Sequence, residues 1–186
     1  MATVIAGMTM SLDGFVADPS GSASRLYPDL AVLRGTAYMK ATIEETGAVL
    51  MGRRTFEMGD PDSYVREYEF QVPIFVVTHH PPETPPQQDE RLTFTFVTDG
   101  VASAVEHARA AAGDQAVQVV GGASLVQQLL RAGLVDELRL DVMPVLFGGG
   151  LRVLENIDPE RVQLEQIGVQ QIGPRASLRF RIVRQV

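Results

Sequence analysis

The sequence predicts an α/β protein with a mostly parallel central sheet and an antiparallel hairpin at its C-terminal end. Short apolar runs of strand length alternate with amphipathic stretches of helix length between residues 3 and 146. Such alternation is typical of parallel strands that are joined by helices. Beyond Gly150, two β-rich segments, residues 162–172 and 176–183, flank a short turn at residues 173–175 and therefore predict a hairpin.

Apolar, β-rich runs predict the strands of the parallel part, and several of these runs stop at a glycine or an aspartate. The predicted strands are residues 3–10, 48–51, 73–78, 93–98, 117–120 and 138–146. Asp13 and Gly14 form a turn signal before a further short run, residues 15–17.

Three amphipathic stretches predict helices between these strands. The first begins near Pro28 and ends before Gly47, the second is capped by Asp99, and the third begins after Gly122 and ends at Gly133. The apolar residues of the three helices, each set on one face, are Leu30, Leu33, Met39 and Ile43, then Val101, Val105, Ala108 and Ala112, then Leu125, Leu129 and Leu130.

Length and composition predict one domain over residues 1–186, because a chain of this length can bury a substantial core by itself. A content of 45% hydrophobic and 21% charged residues is ordinary for a soluble globular protein. The formal net charge of −7 argues against a general nucleic-acid or anionic-membrane binder. An anionic ligand must therefore be held by local groups rather than by the overall field.

The residue types that the chain lacks narrow the remaining function classes. The absence of cysteine excludes disulfides and thiolate metal sites, and three histidines without a His-x-x-x-His pair predict no metal site. The N-terminal segment has no basic region and reaches Asp13 too early for a signal peptide. Since no apolar run is long enough to span a bilayer, we expect a cytoplasmic protein without a membrane partner.

The most informative segment joins a predicted strand to a predicted helix through Gly121 and Gly122. The first-turn amides of a helix have no intrahelical partner, and the helix dipole is positive there, so the junction favours an anion. Glycine also lets a phosphate approach the backbone closely. The alternative is that the two glycines are only a packing device.

A second junction has the same layout, with a predicted strand ending at Gly52 before Arg53, Arg54 and Thr55. Arginine and threonine supply donors that suit phosphate oxygens, and the two arginines favour NADP over NAD. Two such junctions on parallel strands could hold the two halves of a dinucleotide. The alternative is a solvated helix start. Neither junction matches the Rossmann or P-loop pattern.

Five motifs together resemble the dihydrofolate-reductase-like family, and specifically the C-terminal reductase domain of the riboflavin-biosynthesis deaminase-reductase. The motifs are MSLDGFVA at 10–17, VLMGRRTFE at 49–57, PIFVVT at 73–78, VVGGASLVQQLL at 119–130 and VDELRLDVMPVLFGGG at 135–150. The resemblance covers nearly the whole chain. It implies the three-layer dihydrofolate-reductase fold, NADPH as the hydride donor and a homodimer.

The resemblance also assigns cofactor-binding roles residue by residue. The implied cofactor-binding residues are Ala6, Gly52, Arg53, Arg54, Thr55, Thr78, His79, Gly121, Gly122, Ala123 and Ser124. Within this set, Ala6 would fix the nicotinamide carboxamide through its backbone. Thr78 and His79 would contact the adenosine ribose and its phosphate, and Gly121 and Gly122 would lie beside the nicotinamide and pyrophosphate.

The substrate end departs from the family pattern. True dihydrofolate reductases carry a tryptophan in the first loop and a carboxylate on the following helix, whereas this chain has no tryptophan. Its nearest carboxylate, Asp29, is a candidate for binding a pterin- or pyrimidine-like ring and assisting protonation, or else a helix-start residue. Asp13 is a candidate for the substrate mouth, or else a turn residue.

These observations predict a reductase that uses NADPH to deliver hydride to a small heterocyclic substrate, as 5-amino-6-(5-phosphoribosylamino)uracil reductase does in the riboflavin pathway. Most of the rate acceleration of hydride transfer would come from the placement of the nicotinamide ring against the substrate. A substrate phosphate would need a basic group near the first loop, where Arg25 is the nearby candidate. The alternatives are reduction of dihydrofolate or another pterin, and an NADP(H)-binding protein without catalysis.

Overall fold

A computed structural model describes residues 1–183 of the 186-residue chain. Within this range the strands are β1 (Val4–Ser11), β2 (Phe15–Ala17), β3 (Thr46–Gly52), β4 (Ile74–Val77), β5 (Phe94–Val97), β6 (Ala116–Val119), β7 (Glu137–Met143), β8 (Leu151–Arg152), β9 (Gln163–Ile172) and β10 (Arg175–Val183). The helices are α1 (Leu30–Leu33), α2 (Ala37–Glu45), α3 (Arg53–Phe56), α4 (Tyr64–Glu67), α5 (Val101–Ala112) and α6 (Ala123–Arg131), and two 3-10 turns lie at Ser24–Leu26 and Pro61–Ser63.

Eight strands form one sheet in the order β5-β4-β3-β6-β1-β7-β10-β9, and β2 pairs with β8 in a separate two-stranded sheet. The strands from β5 to β7 in this order are parallel to their neighbours. Strand β10 pairs antiparallel with both β7 and β9. The predicted parallel sheet with an antiparallel C-terminal hairpin is therefore confirmed.

Helices cover both faces of the sheet and produce three layers. On one face, Leu50 and Val119 pack with residues of α5 and α6 such as Val105 and Leu129. On the opposite face, alternate residues of the same strands form a second core with α2, α3 and α4. This second core contains Met39, Val49, Met51, Phe56, Tyr64, Ile74 and Val76. The alternation of strand side chains sends neighbouring residues such as Val49 and Leu50 to opposite layers.

Several element boundaries differ from the sequence predictions. The helix predicted from Pro28 to residue 43 is two helices, because Thr36 begins a new one by accepting a hydrogen bond from the Met39 amide at 3.2 Å. Asp99 does not cap α5, which begins after Gly100 without a side-chain cap among the described residues. Strand β7 ends at Met143, since the following proline cannot continue the hydrogen-bond ladder. No helix in the described part of the chain has the length and apolar character needed to cross a membrane.

Two central strands differ in length, and the difference opens the sheet. Strand β6 pairs with β1 only as far as Val119 and Ala6. Strand β1 continues to Ser11 and keeps its other neighbour, β7, along the whole extension. From Gly7 onward, one side of β1 therefore faces a gap at the carboxyl ends of the parallel strands.

Arg175 at the start of β10 is an ion-pair centre buried inside the protein. Its side chain is fully buried and lies 2.5 Å from a carboxylate oxygen of Asp29 and 3.3 Å from one of Asp141. Asp29 precedes α1 and Asp141 belongs to β7, so one guanidinium connects the helical layer to two strands of the sheet. These contacts hold the segment before α1 against the sheet.

We predict that Arg175→Met destabilises the protein by about 3–5 kcal/mol, because it leaves the largely buried carboxylates of Asp29 and Asp141 without their cation. The free energy of unfolding in urea, followed by circular dichroism, measures the effect. Arg181→Met is the matched control, since Arg181 pairs with Glu165 on the exposed surface and such a pair contributes at most about 1 kcal/mol. Equal stability of the two variants would contradict the assigned role of Arg175.

Candidate active site

The two glycine junctions lie side by side at the carboxyl ends of β3 and β6. The amide of Val120 donates to the Leu50 carbonyl at 3.1 Å, and the amide of Gly52 donates to the Gly121 carbonyl at 3.0 Å. The sequence placed both junctions at one edge of a parallel sheet, and the register confirms their adjacency. Helix α3 starts from one junction and helix α6 from the other.

The backbone around Gly121 and Gly122 forms a cradle that side chains would fill. A Cβ atom added at Gly121 would lie 3.2 Å from Thr55 Oγ1, and one at Gly122 would lie 3.5 Å from the same oxygen. Gly121 has a φ of +124°, which favours glycine, and its peptide bond to Gly122 is cis. Thr55 therefore faces the Gly-Gly segment across a narrow space.

The N-termini of α3 and α6 are open to an anion. Neither helix has a side-chain hydrogen bond at its N-cap within residues 1–183, since the N-caps are Gly52 and Gly122. The amides of Ala123 and Ser124 belong to the first turn of α6, where a helix leaves its donors without intrahelical partners. These donors and the glycine cradle fit a pyrophosphate.

A cavity of about 250 Å³ continues this groove beside the end of β4. Its lining includes Arg53, Thr78 and His80, whereas His79 and Arg54 are exposed outside it. Thr78 Oγ1 accepts a hydrogen bond from the His80 amide at 3.1 Å, which folds residues 78–80 into a turn. The structure thus brings Arg53 and Thr78 together and turns His80, rather than His79, toward the groove.

Ala6 lies at the opposite end of the same edge. It is completely buried and pairs with Val119 of β6 on one side and Leu138 of β7 on the other. Gly7 is the next residue and is the first position of β1 that faces the gap. The backbone at Ala6 and Gly7 is therefore where a ligand lying along the edge would meet the interior of the protein.

A second cavity, of about 160 Å³, opens from this gap on the face of the sheet that carries α2. Its floor is formed by sheet residues and its roof by the segment from Tyr27 to α2. The lining residues are Gly7, Met8, Thr9, Gln118, Val120, Arg139, Asp141 and Arg175 on the floor, and Tyr27, Leu33, Tyr38, Met39, Thr42 and Phe70 above and beside it. A cavity of this size suits a ring rather than a large ligand.

Asp141 is the carboxylate that lines this cavity. Its Oδ1 accepts a hydrogen bond from the Tyr38 hydroxyl at 3.3 Å, and its Oδ2 accepts one from Arg175 at 3.3 Å. Burial, and then the negative charge of Asp141, raise the pKa of Tyr38, so the phenol keeps its proton at neutral pH. A carboxylate offers about four acceptor sites, so Asp141 retains capacity for a ligand.

Both arginines of the cavity are already paired with carboxylates. Arg139 bonds Glu45 and also donates to Glu137 at 2.7 Å. Arg175 bonds Asp29 and Asp141. The two guanidinium groups therefore shape the floor of the cavity as parts of a neutralised network.

Asp29 occupies a structural position. Both of its oxygens face Arg175, at 2.5 and 3.1 Å, and it does not belong to the cavity lining. The hydrogen bond from Arg175 lowers the pKa of the Asp29 carboxyl below its ordinary value. Between the two roles considered for Asp29, this geometry favours a residue that fixes the start of the helical segment over one that contacts a substrate ring.

Asp13 likewise holds backbone rather than facing a ligand. Its carboxylate accepts hydrogen bonds from the Ser11 hydroxyl at 2.6 Å and from the amides of Phe147 and Gly148. The Ser11 hydroxyl is the largest cause that lowers the pKa of Asp13 to about 2, and the two amides act in the same direction. The turn interpretation of Asp13 accounts for these contacts, which tie the first turn to the loop after β7.

Several polar residues of the cavity were not recognised from the sequence, among them Gln118, Tyr38 and Asp141. Gln118 is the lone polar residue within an otherwise apolar strand, and Arg139 and Asp141 alternate with leucines in β7. Polar residues with a period of two inside a buried strand share one face. The polar residues of β6 and β7 could therefore have been predicted as site residues from the sequence. Tyr38 could not, because it comes from a distant segment and no local pattern distinguishes it.

The order and direction of the strands and the helical layers on both faces define a dihydrofolate-reductase-like fold. The structure is similar to dihydrofolate reductase from Enterococcus faecalis, solved in complex with NADP(H), with a TM-score of 0.60, 18% identity, and coverage of 97% of this chain and 96% of that chain. Since the identity is low, this likeness shows the fold alone. It confirms the predicted fold class.

The chain belongs to the RibD C-terminal domain family, whose profile matches residues 2–178. This match confirms the family resemblance drawn from the five sequence motifs. Among sequence relatives, the uncharacterized protein YwjB of Bacillus subtilis (strain 168) is 26% identical over 173 residues, which cover 93% of this chain and 94% of YwjB.

Two solved structures extend the comparison. A protein of Shewanella sp. PV-4, provisionally assigned to riboflavin biosynthesis, has a TM-score of 0.76 and 21% identity, with coverage of 99% of this chain and 100% of that chain. The diaminohydroxyphosphoribosylaminopyrimidine deaminase/5-amino-6-(5-phosphoribosylamino)uracil reductase of Thermotoga maritima has a TM-score of 0.69 and 16% identity. The match covers 98% of this chain and 57% of the bifunctional protein.

We predict that Asp29→Asn lowers the stability at pH 7 by about 3 kcal/mol, because Arg175 loses a charged partner. The Asp29 pKa is lowered in the folded protein, so its ion pair contributes stability above the ordinary value of 3.8 and loses it as the pH falls through the folded value. The difference in unfolding free energy between wild type and variant should therefore narrow below about pH 4. Urea unfolding at a series of pH values measures this, with Asp114→Asn on an exposed turn as control.

Proposed function

We propose that the protein is an NADPH-dependent reductase that adds hydride to a C=N bond of a small nitrogen heterocycle. The observation that carries the proposal is the order of features along one sheet edge. The cavity with Arg53 and Thr78 lies at β4, the glycine cradle at β3 and β6, and the gap beside Gly7 at β1, where the second cavity opens. The three gaps between these four strands span about 14 Å.

The residues present fit a dinucleotide along this edge. Arg53 and Thr78 would hold the adenosine ribose and its phosphate, with Arg54 and the turn at His79 on the exposed side. Arg53 now pairs with Glu57 at 2.6 Å, but this pair is exposed and therefore weak enough to exchange for a phosphate, unlike the buried pairs of Arg139 and Arg175. The cradle and first-turn amides described above would hold the pyrophosphate, and the backbone at Ala6 would orient the nicotinamide. When bound, NADPH supplies the hydride. The protein supplies the position of the ring and the exclusion of water.

Asp141 is the residue that we assign to the substrate ring. Asp29 is the candidate that the sequence provides for binding the ring. We assign this role to Asp141 instead, because Asp141 lines the cavity and its carboxylate is fixed by Tyr38 and Arg175. Its free lone pairs would accept hydrogen bonds from a ring N–H or an amino group. The reduced product gains a C–H bond at the carbon and an N–H bond at the nitrogen, with the proton taken from water at the cavity mouth.

Family membership favours the riboflavin-pathway pyrimidine over dihydrofolate as the substrate. A substrate phosphate could not pair with Arg139 or Arg175, which already bind carboxylates. The phosphate would instead have to pair with Arg25, two residues before the cavity residue Tyr27. In the structure Arg25 donates to the Leu146 carbonyl and lies over the Phe147 ring. The phosphate would then lie outside the cavity, with only the ring inside.

The same proposal includes a single-domain, cytoplasmic homodimer. Strand β9 forms the outer edge of the sheet, and its apolar residues Leu164, Ile167 and Val169 are exposed. A long edge strand with exposed apolar residues is suited to cover by a second copy. This arrangement supports the dimer that the family resemblance implies.

The deciding experiment follows NADPH oxidation at 340 nm with the purified protein. The riboflavin-pathway pyrimidine 5-amino-6-(5-phosphoribosylamino)uracil and dihydrofolate are tested separately as substrates. Oxidation with the first supports the riboflavin-type reductase, and oxidation with dihydrofolate supports the pterin alternative. NADPH binding without oxidation by either compound would support the non-catalytic alternative and count against the proposed activity.

We predict that the protein binds NADPH more tightly than NADH and that Arg53→Ala weakens NADPH binding about tenfold or more. A charged hydrogen bond to the 2′-phosphate contributes about 1.5–3 kcal/mol, and its loss should leave NADH affinity unchanged. Titration of the intrinsic fluorescence of each nucleotide measures the dissociation constants. Arg131→Ala, at the far end of α6, is the control. Equal affinity of the wild type for both nucleotides would refute the Arg53 assignment.

We predict that Asp141→Asn raises the KM for the reduced heterocycle about tenfold or more while the NADPH dissociation constant stays within twofold. The variant replaces a charged acceptor by a neutral amide in the cavity, and Asp141 bonds Tyr38 and Arg175 rather than any residue of the groove. Steady-state kinetics and the fluorescence titration separate the two effects. An equal loss of NADPH affinity would instead indicate that Asp141 supports only the fold.

A further inference from the structure

The carboxamide of Gln118 is a buried polar group in the wall of the second cavity. Gln118 lies in the middle of β6 and is only 5% exposed. Its Oε1 atom has no hydrogen-bond partner among the described residues. The other polar groups in this wall differ, because Asp141, Arg139, Arg175 and Tyr38 all bond to protein partners.

Gly7 provides the space that the Gln118 carboxamide occupies. A Cβ atom added at Gly7 would lie 2.6 Å from Gln118 Nε2, which is closer than real Cβ contacts. Gly7 lies within β1 and does not have a left-handed φ, so its backbone conformation does not require glycine. Glycine at position 7 is therefore explained by space rather than by backbone conformation, because any larger residue would collide with Gln118. It lets the Gln118 carboxamide lie against β1 at the gap.

A buried acceptor without a partner costs stability, and a residue such as methionine would fill the same volume without that cost. The cross-strand neighbours of Gln118 on its own face of the sheet, Ile5 of β1 and Val49 of β3, are apolar and buried. The position thus favours an apolar side chain on folding grounds alone. A ligand that donates a hydrogen bond would remove the penalty on Oε1.

We propose that Gln118 determines substrate specificity by accepting a hydrogen bond from a ring N–H of the bound heterocycle. The class of substrate is a cyclic lactam or imide with an unsubstituted ring nitrogen. The inference rests on the proposed function, since it takes the second cavity as the substrate site. A ring alkylated at nitrogen cannot donate this bond and leaves the carboxamide unsatisfied.

The test uses lumazine, a fluorescent fused pyrimidinedione with two ring N–H groups, and 1,3-dimethyllumazine, which has neither. Binding of each compound is titrated by fluorescence in the presence of saturating NADP⁺, which does not emit. The wild type should bind lumazine more tightly than the dimethyl compound. The thermal midpoint of each protein without lumazine is measured in parallel.

Two variants probe the carboxamide in different ways. Gln118→Met removes it, and Gly7→Ala displaces it without removing it. Each should weaken lumazine binding about tenfold, and Gln118→Met should leave binding of 1,3-dimethyllumazine within twofold. The midpoint of Gln118→Met should be unchanged or higher, because no buried acceptor is left unpaired. Gln128→Met, on the exposed face of α6, is the matched control and should behave as wild type.

Three outcomes would overturn the inference: the same lumazine affinity in Gln118→Met as in wild type, an unchanged preference between the two compounds in that variant, or no saturable lumazine binding to the wild type. An unchanged preference would show that the methyl groups are excluded by their bulk. The NADPH titration and the oxidation assay are independent readouts. Failure of the Gln118 inference with intact NADPH binding and oxidation would leave the proposed function standing.

Discussion

Arg175 connects three parts of the protein that are remote in sequence: the C-terminal hairpin, strand β7 through Asp141, and the segment before α1 through Asp29. A fully buried guanidinium needs carboxylate partners, because its desolvation is otherwise far too costly. Each partner therefore has a fixed place, and so do the elements that carry it. Asp29 lies within the segment from Tyr27 to α2 that forms the roof of the second cavity, and Asp141 lies in its floor. This one arginine side chain therefore holds roof and floor together.

The second cavity is accessible from the edge of the sheet because β1 and β6 have unequal lengths. Since β6 stops at Val119 while β1 runs on to Ser11, the gap beside Gly7 joins the edge of the sheet to the face that carries α2. A dinucleotide on the edge and a ring in the cavity would meet at this gap. Positioning of the two reactants, rather than a strong acid or base, is the main contribution that such a site can make.

The sequence predicted the fold and the groove better than the cavity. Apolar runs and glycine junctions are local signals, so the strands and the adjacency of Gly52 with Gly121 followed from the chain itself. The cavity depends on contacts between distant segments, such as Tyr38 with Asp141, which no local pattern reveals. Asp29 shows the difference: its position before a helix was read correctly, but its partner Arg175 lies 146 residues later and determines its role.

The charge balance of the lining residues and their ion-pair partners restricts the kind of ligand that the second cavity can hold. Four carboxylates, those of Asp29, Glu45, Glu137 and Asp141, surround three guanidinium groups, those of Arg139, Arg175 and Arg179. An anion placed among them would meet no uncommitted cation within the described residues. Asp141 and Gln118 retain acceptor capacity, and both require donors from the ligand. A neutral ring with N–H groups satisfies both, and any phosphate must therefore remain at the mouth, where water can screen it.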